Sequence, residues 1–244
     1  MITISNLTKK YKKYIVPINT LKSFIINYKE YKRENRRIDD LYVIQDLSLK
    51  IQDGEIFCLV GKNGSGKSTL AKLIAGTVEA TSGNIIVKGS IVPFLELGVA
   101  FSSELSGRDN VMLNGVMLGL SRKYLKSKME DIFEFAEVTE FIDTPIKYYS
   151  SGMQMRLAFS IGMHANGDIY IFDEILAVGD ANFQKKCFES FQNLMRQNKT
   201  IILITHDLET VKKYADRVLL LKDNTQKILD TKEEIYALSG DDLL

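Results

Sequence analysis

The spacing of apolar and polar residues along the chain predicts its strands. Residues 2–7 and 43–51 alternate between the two kinds, as strands buried on one face do. Three further segments, 56–60, 169–172 and 200–205, are almost wholly apolar. Such runs are typical of strands that a parallel sheet buries on both faces.

Helical periodicity covers much of the remaining chain. It follows the first apolar run over residues 67–76 and extends, with breaks, from about 107 to 164. Buried strands with helices between them predict an α/β domain with a mainly parallel sheet. The groups that bind ligands should then lie where those strands end.

Composition narrows the class of protein. Of the 244 residues, 45% are hydrophobic and 26% are charged, and the net charge is only +1. That balance argues against binding nucleic acid by bulk electrostatic attraction, so we expect no nucleic-acid partner. No segment approaches the roughly 18 apolar residues of a membrane span. Cys58 and Cys187 stand in apolar surroundings and are expected to be reduced core thiols of a cytoplasmic protein.

One segment departs from this charge balance. Residues 12–38 hold eight Lys or Arg and two Glu, a local surplus of six positive charges. Apolar and aromatic residues recur within it at helical spacing from Leu21 to Tyr31, which predicts a short basic amphipathic helix. Such a helix could lie on an anionic membrane leaflet or contact lipid headgroups. The alternative is a solvated insertion whose apolar face packs on its own domain.

A phosphate-binding loop follows the first apolar run. The segment GKNGSGKST, residues 61–69, matches the pattern G-x-x-x-x-G-K-[ST] between a predicted strand and a predicted helix. Glycines allow successive backbone N–H groups to face the phosphates. Lys67 would reach the β- and γ-phosphates and the Ser68 hydroxyl would bind Mg²⁺. The residues expected to contact ATP in this loop are Gly61, Asn63, Gly64, Ser65, Gly66, Lys67, Ser68 and Thr69.

The two later apolar runs also end in side chains suited to phosphate chemistry. IYIFDE ends in Asp173, expected near the metal, and Glu174, expected where a water attacks the γ-phosphorus. IILITHD places His206 where it would sense the γ-phosphate. We therefore expect Lys67, Glu174 and His206 to be catalytic. The alternatives are that the two acids merely begin a solvated loop and that His206, like His164, is structural.

A second anion site is predicted at YYSSGMQMRLAFS, residues 148–160. There a Ser-Ser-Gly turn opens an apolar helical run. The backbone N–H groups at a helix start converge, and the helix dipole adds partial positive charge. Residues 61–69 already provide one phosphate site, so this turn is expected to serve a different phosphate.

These motifs, in this order, resemble the nucleotide-binding subunit of an ATP-binding cassette (ABC) transporter over nearly the whole chain. The resemblance includes the loop ILAVGD, whose Asp180 would make contact across a dimer. It implies a head-to-tail homodimer around two ATP molecules with Mg²⁺. Ser151, Gly152 and Gln154 of one copy would bind the γ-phosphate held by Lys67 of the other. The isolated monomer would then be a poor ATPase.

The resemblance also predicts which aromatic side chain stacks on adenine. Tyr11 would stack on adenine, with Tyr14 as the alternative. At two positions, however, this chain departs from the family pattern. The common signature is LSGGQ, whereas this chain has SSGMQ with Met153 in place of the second glycine. Glu96 stands where a glutamine is usual and would lie near the metal.

YSSGM, LELG followed by ELSGRDN, and DEILAVGD resemble the branch that exports finished polysaccharides such as O-antigen, capsule and teichoic acid. This implies an ATPase subunit at the cytoplasmic face of the cell membrane that binds separate transmembrane permease subunits. Leu97 and Gly98 would lie near the membrane, and residues 107–120 would contact the permease. The chain ends soon after the last predicted strand, so we expect no appended sugar-binding domain.

The implied fold is an α/β P-loop NTPase with a mixed, mainly parallel core sheet, an antiparallel β edge and an α-helical subdomain. We expect one domain over residues 1–244. Its parts would be a RecA-like core with the β edge (about 1–95 and 166–230), the helical subdomain (98–165), the basic insertion (12–40) and a C-terminal tail (231–244).

Competing functions share part of this pattern. A soluble ABC protein acting on DNA or ribosomes would usually carry coiled-coil insertions or a second cassette. A regulatory cassette without hydrolysis is disfavoured by intact Lys67, Asp173, Glu174 and His206. A phosphate-loop kinase would not explain SSGMQ. Importers and small-molecule exporters share the ATP chemistry. Only the polysaccharide-type motifs and the insertion of this chain argue against them.

Overall fold

The strands form two sheets. The computed structural model describes residues 1–13, 39–95, 100–173, 179–222 and 225–240. The strands are β1 (Ile2–Lys13), β2 (Asp39–Ile51), β3 (Ile56–Gly61), β4 (Ser82–Val87), β5 (Ile91–Phe94), β6 (Ile169–Asp173), β7 (Thr200–Ile204), β8 (Arg217–Lys222) and β9 (Thr225–Leu229). A three-stranded antiparallel sheet has the order β2-β1-β4. A six-stranded sheet has the order β5-β6-β7-β3-β8-β9 and is parallel except for β9.

The helices lie in the segments where helical periodicity was predicted and after the later strands. They are α1 (Lys67–Ile74), α2 (Gly107–Met117), α3 (Arg122–Ala136), α4 (Ser151–His164), α5 (Ala181–Arg196), α6 (Leu208–Tyr214) and α7 (Lys232–Tyr236). The mixed, mainly parallel sheet, the antiparallel sheet and the helices confirm the predicted α/β P-loop NTPase fold.

The central strands are apolar on both faces because each face has its own core. In β3, Cys58 and Val60 belong to a core that includes residues of α4 and α5, whereas Phe57 and Leu59 belong to a core shared with α1 and the antiparallel sheet. Strands β6 and β7 divide their residues between the same two cores. This two-sided burial is why these strands read as continuous apolar runs.

Helices α2, α3 and α4 enclose a third core. Its members on α3 recur at helical spacing and pack against Leu157 and Ile161 of α4 and neighbouring residues; they are Leu125, Met129, Ile132, Phe133 and Ala136. Serine side chains cap all three helices: Ser106 accepts from the N–H of Asp109, Ser121 from Tyr124 and Ser150 from Met153.

The predicted strands were confirmed. Strands β1 and β2 extend beyond the alternating segments 2–7 and 43–51 that predicted them. β1 continues through Lys12 and Lys13, which pair with Asp40 and Asp39 of β2. The first two residues of the basic segment 12–38 are therefore part of a strand, and the helix predicted from Leu21 to Tyr31 lies outside the described residues. Residues 14–38, including Tyr14, lie outside the described residues.

The expectation that both cysteines are core thiols is confirmed. Cys58 and Cys187 are buried and unpaired with each other. Burial raises the pKa of each thiol from 9.0 to about 12. His164 also has the structural role expected of it, since its Nδ1–H donates to the carbonyl of Ser160 at 2.8 Å.

Candidate functional site

The sheet order brings three predicted site segments to one edge. Strand β7 lies between β3 and β6, and all three run parallel. Their carboxyl ends therefore lie side by side. β3 ends at Gly61 and continues into the glycine-rich loop, β6 ends at Asp173, and His206 follows β7 by two residues.

The glycine-rich loop has backbone geometry that requires glycine. Gly61, Gly64 and Gly66 have φ angles of 149°, 80° and 103°. A side chain at Gly61 would also place its Cβ only 2.1 Å from the carbonyl oxygen of Leu221 in β8. At Gly66 the nearest atom would be a methyl carbon of Val43 at 2.7 Å. The loop is thus held tightly against β2 and β8, while nothing lies within 4 Å of a Cβ built at Gly64.

Lys67 is the first residue of α1 and is buried. Its Nζ donates to the carbonyl oxygens of Gly61 at 2.6 Å and Lys62 at 2.7 Å, so the ammonium group lies inside the curve of the loop. Gly66 caps α1 without a side-chain hydrogen bond. Gly66 has no side chain to occupy the first amides of α1, which is the arrangement that binds an anion at a helix start.

Ser68 and Asp173 both line the cleft beside the loop. The hydroxyl of Ser68 donates to Oδ2 of Asp173 at 3.1 Å. The open cleft has a volume of about 400 Å³ and is lined by Val43, Asn63, Gly64, Gly66, Lys67, Ser68, Thr69 and Asp173. It combines amide donors, a cation and two oxygen ligands of the kind that Mg²⁺ prefers.

These residues fit a nucleotide phosphate with a magnesium ion. Among the described residues, the buried hydroxyl of Ser65 has no hydrogen-bond partner. A buried polar atom without a partner is uncommon, and Ser65 lines a smaller cleft beside the loop, where a ligand oxygen would satisfy its hydroxyl. The glycine geometry and the Ser68–Asp173 pair support the same ligand independently.

The turn predicted as a second anion site forms the start of α4. Ser150 caps the helix, and its hydroxyl accepts from the N–H of Met153 at 3.2 Å. The first intrahelical bond is donated by Gln154 to the carbonyl of Ser150. The N–H groups of Ser151 and Gly152 precede that bond and point out of the helix start. Gly152 is open, since a Cβ there would meet only the Ser150 hydroxyl, at 3.9 Å.

The side chains of Met153 and Gln154 contact residues of the same chain. The half-buried Met153 side chain packs against the core between α2, α3 and α4. It therefore leaves the helix start uncovered, although it replaces a glycine of the family pattern. The side-chain amide of Gln154 donates to the carbonyls of Ile146 and Tyr149, both at 3.3 Å, and so braces the turn. Its predicted contact with ATP stays a prediction.

Asp180 caps α5, and its Oδ1 accepts from the N–H groups of Asn182 and Phe183, each at 3.0 Å. It is exposed, as a contact across a dimer requires. His206 is also exposed. It follows β7, which lies between β3 and β6, the two strands that lead into the phosphate cleft. Four predicted site residues, Glu96, Leu97, Gly98 and Glu174, lie outside the described residues.

Tyr11, the predicted adenine platform, is not among the residues that line the two clefts beside the loop. Tyr11 lies on β1 opposite Leu41, with Lys9 Nζ 4.8 Å from its ring centre. A smaller cleft of about 170 Å³ beside the loop is lined instead by Tyr42 of β2. Sequence reasoning missed Tyr42 and Val43, because their position beside the loop depends on how β2 crosses it. The role of Tyr11 stays a prediction.

Comparison with known proteins agrees with this geometry. Residues 44–177 match the family model described as ABC transporter. The O-antigen export system ATP-binding protein RfbB of Klebsiella pneumoniae is 38% identical over 98% of this chain and 96% of its own length. RfbB of Myxococcus xanthus is 41% identical over 88% of this chain, which spans half of that relative's length. The teichoic acids export ATP-binding protein TagH of Lactococcus lactis is 38% identical over 94% of this chain and 48% of its own length.

Solved structures agree on the fold. A dimeric ATP-binding cassette in a post-hydrolysis state, bound to ADP and phosphate, superposes with a TM-score of 0.72. The superposition covers 94% of this chain and 98% of that one, at 20% identity. The chain therefore belongs to the ABC transporter family. Within its described parts, no helix is both long and apolar enough to cross a bilayer.

Proposed function

We propose that the chain is the ATP-hydrolysing subunit of a membrane transporter that exports a polysaccharide such as O-antigen, capsule or teichoic acid. The observation that carries the ATPase is the Ser68–Asp173 pair, 3.1 Å apart, in the cleft that also contains Lys67. The cargo class is supported by relatives whose names specify O-antigen and teichoic acid export, one of them matched along almost its full length.

The residues around the cleft have separate roles in phosphoryl transfer. The loop amides and Lys67 hold the β- and γ-phosphates, and Ser68 and Asp173 would hold Mg²⁺. The bound ion neutralises charge on the phosphates. Glu174 orients the attacking water and accepts its proton, and His206 donates a hydrogen bond to the γ-phosphate. Because phosphoryl transfer depends mainly on positioning and charge stabilisation, these groups suffice.

The start of α4 completes the site of a second copy. The exposed amides of Ser151 and Gly152 and the dipole of a 14-residue helix provide a site for a γ-phosphate, while the chain's own loop already has α1 for that purpose. A head-to-tail dimer places each α4 start over the partner's Lys67 loop. Asp180, at the start of α5, lies at the same interface.

The transmembrane subunits are separate chains and contact α2. Leu113, Val116 and Met117 lie at i, i+3 and i+4 on this helix, and Met117 is 68% exposed. An exposed apolar stripe of this kind is suited to protein contact. Leu97 and Gly98 precede α2 and belong to the same contact. The assembly lies at the cytoplasmic face of the membrane, where residues 12–38 contact anionic headgroups.

Reconstitution tests the proposal. The chain is co-purified with the permease subunit from its own host and inserted into lipid vesicles, and ATP hydrolysis is measured with and without lipid-linked polysaccharide. We expect hydrolysis that the polymer stimulates and that Lys67→Ala abolishes, whereas Lys88→Ala at an exposed site in the β4–β5 connection has no effect. Stimulation by a small solute but by no polymer would contradict the cargo class. A complex that binds ATP without hydrolysing it would contradict the ATPase.

A further inference from the structure

Glu137 connects two helices that lead away from the predicted dimer interface. One carboxylate oxygen, Oε2, accepts from Nη1 of Arg156 on α4 at 3.1 Å. The other, Oε1, accepts from Nζ of Lys186 on α5. The single carboxylate therefore links α4, which begins at the Ser-Ser-Gly turn, to α5, which begins after Asp180.

The backbone at Glu137 forms the turn that ends α3. Glu137 ends α3 with φ 58° and ψ 41°, the left-handed conformation that favours glycine or asparagine at helix ends. The next residue, Val138, is buried and donates to the carbonyl of Phe133. A strained non-glycine residue persists when its surroundings over-determine it, and such residues cluster at functional positions.

Arg156 reaches the start of α5 by a second route. Its guanidinium lies 5.9 Å from the ring centre of Phe183, a cation–π distance. Phe183 is buried and packs against Phe135 of α3 and Phe159 of α4, each with ring centres 5.9 Å apart. Its N–H is one of the two that donate to Asp180. Ionic and aromatic contacts thus join the same two helix starts.

We infer that Glu137 is a positioning residue that sets the placement of the Ser151–Gly152 turn relative to Asp180, so that both reach the partner's nucleotide together. This inference rests on the proposed dimeric ATPase. Glu137, Arg156 and Lys186 line neither cleft beside the phosphate loop. Their contribution therefore concerns assembly of the two-ATP dimer and not binding of ATP to one chain.

A matched pair of variants on α3 and at its end tests the inference. In full-length Glu174→Gln protein, Glu137→Gln removes the charge that both cations share, and Glu134→Gln removes an exposed charge one turn earlier. Dimer dissociation constants are measured in Mg-ATP by sedimentation, and monomer affinity is measured with a fluorescent ATP analogue. We expect Glu137→Gln to weaken the dimer by about 5- to 20-fold, which lies within the range of coupling between contacting residues. Glu134→Gln should not weaken the dimer, and neither change should alter monomer affinity.

A second set of three variants, at Lys186 and the adjacent Lys185, separates positioning from simple loss of stability. Lys186→Met should weaken the dimer as Glu137→Gln does, and Lys186→Arg, which keeps the cation, should restore it. Lys185→Met changes the adjacent exposed lysine and should have no effect.

Three results would overturn the inference. They are equal dimer affinities for Glu137→Gln and Glu134→Gln, a parallel loss of monomer ATP affinity in Glu137→Gln, or equal effects of Lys185→Met and Lys186→Met. A Glu174→Gln parent that binds ATP but never dimerises is a distinct outcome. It would contradict the proposed dimeric mechanism, and this inference with it.

Discussion

The hydroxyl of Ser68 lies 3.1 Å from Oδ2 of Asp173, although 105 positions separate the two residues. Ser68 is set by the start of α1 and Asp173 by the end of β6, so the pair joins the phosphate loop to a neighbouring strand. An oxygen pair at this distance beside Lys67 would suit one Mg²⁺ held by both side chains.

The first prediction concerns this shared ion. Ser68→Ala and Asp173→Asn should each raise the Mg²⁺ concentration that half-saturates ATP hydrolysis. Because both groups hold the same ion, the double variant should lose less than the two single losses combined, with a coupling of about 0.5–3 kcal/mol. The measurement is hydrolysis against Mg²⁺ concentration at fixed ATP. Ser127→Ala on the exposed side of α3 is the control. Strict additivity would contradict a common ion.

The second prediction concerns Lys67. Its ammonium group lies within the loop, where it stabilises phosphate charge that increases during transfer. Lys67→Met should lower kcat by at least about 100-fold, the usual loss when one preorganised donor is removed. The measurement is phosphate release at saturating Mg-ATP, with Lys88→Met as the control. Activity within threefold of the parent would show that another cation performs this role.

The third prediction concerns the close approach of β3 to β8. Gly61→Ala places a Cβ about 2.1 Å from the carbonyl oxygen of Leu221, at a φ of 149°. The strain should cost about 2–3 kcal/mol and lower Tm by roughly 4–12 °C for a domain of this size. Gly240→Ala, where no atom lies within 4 Å, should leave Tm unchanged. The measurement is thermal unfolding by circular dichroism, and equal Tm values for both variants would contradict the loop geometry.

The fourth prediction concerns the two buried thiols. Burial raises the pKa of Cys58 and Cys187 from 9.0 to about 12, so neither forms a thiolate in the native protein near pH 8. A disulfide reagent should modify both only after unfolding. The folded pKa is the higher one, so this contribution to stability is complete below about pH 9 and is lost as pH rises towards 12.

The pH dependence is measured as Tm between pH 8 and 11, and a Cys58→Ala, Cys187→Ala protein should show a shallower decline. Rapid modification of both thiols in the native protein at pH 8 would contradict their burial.

The sequence predicted those parts of the fold that local pattern determines. The segment IFCLV identified β3 because both faces of that strand are buried, and GKNGSGKST was recognisable because its glycines and Lys67 have a fixed spacing. β5 was not singled out, since it has only four residues and contains Pro93, which suits an edge strand.

Contacts that depend on tertiary placement were not predictable from one sequence. The bridge from Glu137 to Lys186 joins residues 49 positions apart, and surface charges carry no spacing signal at that distance. Tyr42 beside the phosphate loop was missed for the same reason. Met153 replaces a glycine of the family pattern in SSGMQ, and only the packing of α4 shows that its side chain turns into the core.

The most direct test of the dimeric mechanism is the mass of Glu174→Gln protein in solution, with and without Mg-ATP. Loss of the carboxylate that activates water should trap a two-ATP dimer, so the mass should double from 27.7 kDa only when Mg-ATP is present. Adding Ser151→Arg should abolish the dimer, because a bulky cation then occupies the α4 start that receives the partner's γ-phosphate. A monomer at saturating Mg-ATP, or a dimer that persists with Ser151→Arg, would contradict the account.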